Sequence, residues 1–194
     1  MAELTDYSGD LMEGEFSPEM VLENFSKETL IKLVRYISKL YVRLGGDHEN
    51  AVERRWGAEA AHEVGDEAWM YHRSILRKWL QEVFDYQHGS DVEIYMKYHQ
   101  INPAGGLLYP TKWEMISPTH AIYTILACDT LEYWERIKDD TNICRMCLDG
   151  GYEWKFFQAE AQAVNPKMKV TMLKSPPRQS EDEIACQWEF KIEE

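Results

Sequence analysis

Cysteine is scarce in this chain, with four in 194 residues. No secretory leader precedes them, so they read as free thiols rather than as a disulfide framework. Basic residues are also few: 21 Lys and Arg stand against 34 Asp and Glu, a formal net charge of -13 at pH 7. A nucleic-acid partner is excluded on that ground, because a phosphate backbone would meet like charge. The densest basic stretch, "RYISKLYVR", reads as the solvated face of a helix. No apolar run approaches membrane-spanning length, and no charged segment followed by an apolar one opens the chain. The expectation is a soluble, cytoplasmic protein with no membrane partner. A Gly-rich phosphate loop, a strand–Gly-x-Gly–helix unit and a Gly-x-Ser-x-Gly elbow are all missing, which disfavours kinases, dinucleotide enzymes and serine hydrolases.

What is present suffices for one core. Hydrophobic residues make up 44% and aromatics 12%, enough for a single domain over 17–194 behind a flexible acidic tail at 1–16. The part from about 17 to 88 has helical grammar. Ser17 and Pro18 suit an N-cap and a first helical position. Leu30, Val34, Ile37, Leu40, Tyr41 and Leu44 recur at helical steps up to Gly45-Gly46, where the stripe is expected to stop, with Asp47 capping the next element. A further break is expected near Gly57. From about 91 the period changes to two. Val92, Ile94, Met96 and Tyr98 alternate with polar residues and predict a strand, and "TKWEMIS", "HAIYTILACD", "KMKVTML" and "ACQWEFKIE" predict four more. "TLEYWERIKDD" fits either a strand extension or a short helix. "CRMCLDGGYEWKFFQAEAQAV" predicts one late helix, weakened early by Gly150-Gly151. The class is α+β: N-terminal helices packed on a C-terminal antiparallel sheet interrupted by one helix.

The Gly57, Ala61 and Trp69 spacing, the Pro176-Pro177 loop and the closing strand with Cys186, Trp188 and Phe190 resemble a bacterial and archaeal family of unknown function. More distantly, the closing half looks like L-2-amino-thiazoline-4-carboxylate hydrolase-like proteins and 4-vinyl reductase-type ligand-binding domains. That likeness implies either thiol-assisted hydrolysis or binding of a small hydrophobic or heterocyclic ligand.

Three groups of residues are candidates for chemistry. Cys144 and Cys147 form a Cys-x-x-Cys pair at the expected start of a helix, where free backbone N–H groups lower a thiol's pKa. There they can attack an electrophile, cycle as a disulfide or supply half of a zinc site, with Cys128 and Cys186 as further ligands. Packing in apolar strands is the competing reading for Cys128 and Cys186. Glu59, His62 and Asp66 fall along one helical face in a Glu-x-x-His arrangement that can hold a divalent metal such as zinc or iron; a solvated acidic face is the alternative. His72 lies on an apolar helical side and is either a satisfied core residue or a general base. His99, Tyr95, Glu93 and Glu114 are expected on one polar sheet face.

Three function classes follow. The first is a cysteine-assisted hydrolase or lyase acting on a small hydrophobic or heterocyclic substrate, with Cys144 or Cys147 as nucleophile and a histidine moving protons. The second is a non-catalytic domain that binds a small ligand or metal; the third, implied by the vinyl reductase-type likeness, whose fold is shared with dimerising trafficking-complex subunits, is a dimerising interaction protein, a homodimer.

Overall fold

The structure, a computed structural model, describes residues 22–180 and 182–193. Ser17 and Pro18 lie outside them. A short 3-10 turn, Leu22–Asn24, leads into α1, Lys27–Trp56. Ser26 caps that helix by accepting the Thr29 N–H at 3.1 Å, and Gly57, at φ 90°, ends it. α2, Ala58–Val83, folds back along α1.

The break at Gly57 is where the sequence puts it, but the expected stop at Gly45-Gly46 is not. α1 runs through both glycines because Gly45 answers to packing: a Cβ there would strike the indole of Trp69 on α2. Helix propensity costs about 1 kcal/mol per glycine, and the interhelical contact offsets it.

The next element corrects the reading more deeply. Residues Asp91–Ile101 are a helix, α3, not a strand. Ser90 accepts the Glu93 N–H at 3.3 Å, a Ser-x-x-Glu start that outranks the alternation. Val92, Tyr95, Met96 and His99 then form a buried helical stripe. The expected polar sheet face is dissolved accordingly, with Tyr95 and His99 in the interior.

Four of the five predicted strands form: β1 Thr111–Ser117, β2 His120–Ile125, β3 Met168–Lys174 and β4 Cys186–Ile192. All pairings are antiparallel, in the order β1-β2-β4-β3. Tyr123 pairs with Trp188 and Ala121 with Phe190, so the inward face of β2 and β4 is a continuous apolar layer.

The stretch left open is a helix, α4, Asp129–Ile137. The late helix is two: α5, Asp140–Cys147, and α6, Tyr152–Val164, parted at Gly150, whose φ is 75°. α3 and α6 cover the inward sheet face, and Tyr95, Phe156, Phe157, Trp188 and Phe190 lie in one core. α6 also serves the β3 edge. Trp154 Nε1 donates to the Val170 carbonyl at 3.0 Å, while Gln158 bonds the Val170 N–H and the Met168 carbonyl. The fold is α+β.

Candidate functional site

Splitting the late helix moves the cysteines. Cys144 and Cys147 sit in the last turn of α5, not at a helix start, so the backbone there presents carbonyls and disfavours a thiolate. Cys144 is exposed, whereas Cys147 turns inward. Cys128 is the N-cap of α4, its Sγ accepting the Leu131 N–H at 3.4 Å; Cys186 Sγ accepts Trp188 Nε1 at 3.2 Å.

Cys128, Cys147 and Cys186 share an environment with Tyr109, Tyr123 and Glu153. The Glu153 charge acts on all three thiols and on both tyrosines. Burial is the first cause in each case: it pushes the Cys128 and Cys147 thiols up and that of Cys186 up to about 12, and it raises both phenols.

Tyr123 is buried, while Cys128, Cys147, Cys186, Tyr109 and Glu153 are half-buried. Glu153, in the first turn of α6, forms no hydrogen bond with any described residue. Burial raises its carboxyl above the usual range, with Arg73 opposing and Glu160 reinforcing the shift. The Tyr123 hydroxyl is likewise buried without a partner, its ring stacked on Trp113 at 4.1 Å.

A second cluster centres on His99 and Glu160. His99 Nε2 is 3.2 Å from Glu160 Oε2 at a separation fit for an ion pair but without hydrogen-bond alignment. The Tyr98 hydroxyl donates to Glu160 Oε1 at 2.7 Å, and Asn102 Nδ2 donates to the Tyr98 hydroxyl at 3.2 Å. Burial pushes the Glu160 carboxyl up, but His99, Arg73 and the Tyr98 hydroxyl outweigh it and hold the group below the usual carboxylate range. Arg73 lies over the Phe156 ring and joins the two clusters, its charge acting on both Glu153 and Glu160.

The other expected site residues go elsewhere. His72 packs between α1 and α2, 5.3 Å from the Tyr41 ring and 6.4 Å from Trp69. Glu59, His62 and Asp66 share α2, but Asp66 is engaged by Arg145 Nη1 at 3.1 Å. Among the described residues no three His, Cys, Asp or Glu side chains converge to hold a metal. Glu93 and Glu114 border a shallow surface cleft of about 250 Å³ between α3 and β1, with Lys97 and Trp113.

Sequence reasoning did not find Glu153, Tyr109, Tyr123 or the His99–Glu160 pair. The available signal was a lone acid in the aromatic helix start "GGYEWKFF", out of keeping with its apolar neighbours.

The fold and site define an α+β protein that gathers Cys128, Cys147, Cys186, Tyr109 and Tyr123 around Glu153. Residues 23–192 match a family of unknown function, DUF6125, and the chain belongs to it. No curated protein and no solved structure matches the chain. No helix among the described residues is long and apolar enough to cross a membrane.

Proposed function

We propose that the chain is a small-ligand-binding domain in which the half-buried thiols, Tyr109 and Glu153 take a compact apolar or heterocyclic molecule bearing one basic nitrogen. The carrying observation is Glu153: a half-buried carboxyl set among three thiols, with no hydrogen bond to any described residue. A half-buried carboxyl without a protein donor is only partly solvated, and a ligand N–H or cation supplies the missing partner. Neutral thiols at Cys128, Cys147 and Cys186 supply polarizable, weakly polar walls, while Tyr123 supplies an unused hydroxyl.

A thiol-dependent hydrolase or lyase is the second reading, favoured by Cys147 beside the same carboxyl. Its nucleophile has to be a thiolate, and burial opposes that.

The test is a thermal-shift series with matched basic, neutral and acidic heterocycles, on wild type and Glu153→Gln. Stabilisation by the basic members only, lost in E153Q, supports the reading through mass action. Equal shifts from neutral isosteres, or shifts that survive E153Q, overturn it. Turnover of a bound heterocycle that is abolished by Cys147→Ser favours the enzyme.

A further inference from the structure

The α1–α2 hairpin buries one of its sides. Arg73 reaches the α6 ring of Phe156, and Glu49 and Asp66 reach Arg145 on α5. The helical positions turned the other way are apolar and exposed. On α1 they are Leu33, Ile37, Leu40 and Leu44, in the four-three-four spacing of a helix-pairing seam; on α2 they are Val64, Tyr71 and Trp79. Leu40 is 65% exposed and Tyr71 71%. Both stripes lie on the same side of the hairpin, because each sits about a quarter-turn from its interhelical contact, away from α5 and α6. A contiguous apolar strip of this extent marks an interaction surface.

We propose that a second copy of the chain covers this side, as an isologous pair with the α1 helices antiparallel. Size fits first. The 26 residues of α2 span about 39 Å, and two helices side by side give a face of roughly 800 Å², the area each partner buries in a standard interface.

Charge fixes the direction. The first half of α1 carries Lys27, Lys32, Arg35 and Lys39 against Glu28, with Lys39 paired to Asp129, while the turn end carries Asp47, Glu49, Glu53, Glu59, Glu63, Asp66 and Glu67 against Arg43, Arg54 and Arg55. A two-fold axis through the middle of the hairpin lays the basic end of one copy over the acidic end of the other. A parallel pair stacks like on like. Leu40, Leu44 and Tyr71 then lie nearest the axis.

Light scattering on the full chain at micromolar concentration is expected to return twice the 22.8 kDa of one copy. Leu40→Glu and, separately, Tyr71→Lys are expected to yield monomers with unchanged circular dichroism, since both side chains are largely exposed in the single copy. Spin labels at Lys27 on two copies are expected about a helix length apart, roughly 40 Å; a short distance between them overturns the antiparallel arrangement. A dimer that survives both variants overturns the surface. A wild-type monomer overturns the proposal, and if it associates once residues 1–21 are removed, the leading segment is the occupant instead.

Discussion

Replacing Arg145 by methionine tests what fastens the helical hairpin to the rest of the fold. Arg145 Nη2 donates to Glu49 Oε1 of α1 at 2.6 Å, and Nη1 to Asp66 Oδ1 of α2 at 3.1 Å. The Arg145 side chain is 19% exposed, Glu49 27% and Asp66 47%. The short, mostly buried Glu49 limb belongs with charge-assisted bonds worth about 1.5–3 kcal/mol. The half-exposed Asp66 limb belongs with surface pairs, worth roughly 0.2–1 kcal/mol. Methionine keeps the apolar stem but leaves two acids side by side without their cation, so the expected loss is about 2 kcal/mol. For a chain of this size that lowers Tm by roughly 4–8 °C. Calorimetry or urea unfolding reads it directly. A double-mutant cycle with Glu49→Gln and Asp66→Asn should give the larger coupling to Glu49. A loss below about 0.5 kcal/mol, or a stronger coupling to Asp66, refutes the clamp.

Alkylation with a maleimide at neutral pH should label Cys144 first, with Cys128, Cys147 and Cys186 following only as the chain opens; mass spectrometry of digested peptides reads the order, and fast labelling of Cys147 contradicts the raised thiol. Glu160 has a folded pKa below its unfolded value, so it stabilises above the ordinary carboxylate range and that contribution is lost as pH falls through the range to the lowered value. Glu160→Gln should therefore cost about 3 kcal/mol at pH 7, with the gap to wild type closing in acid; a pH-independent gap is the contrary result. Glu153 has the opposite sign: its folded pKa is raised, so wild-type stability declines as pH climbs from the ordinary carboxylate range towards the raised value. Glu153→Gln should flatten that decline and stabilise the empty protein at pH 7, read as a higher Tm in the same scans that lose the ligand shift. An E153Q protein less stable than wild type would make Glu153 a structural group.

Hydropathy period determined much of this molecule without help. The closing strand illustrates it: Trp188 and Phe190 alternate with Gln187, Glu189 and Lys191, and the apolar pair is buried in the sheet's inner face. The break at Gly57, the four strands and the α+β class follow from the same local patterning. Residues 91–101 show where it fails, since Val92, Tyr95, Met96 and His99 fit a helix while Val92, Ile94, Met96 and Tyr98 fit a strand. Both periods are written there, and the Ser90 cap with packing against α6 and the sheet selects one.

What only the tertiary structure decided concerns partners distant in the chain. Gly45 reads locally as a helix stop, but its missing Cβ accommodates Trp69. Cys147, Cys128 and Cys186 belong to three separate elements, and no spacing rule brings them to Glu153; the packing of α4, α5 and α6 against the sheet does. Asp66 is a metal ligand by spacing and an Arg145 partner by geometry. Local sequence dictates which backbone period is cheapest, because that cost is set within a turn or two. The chemistry of a buried group depends on which charges and apolar walls surround it, and here those come from elements up to about a hundred positions away.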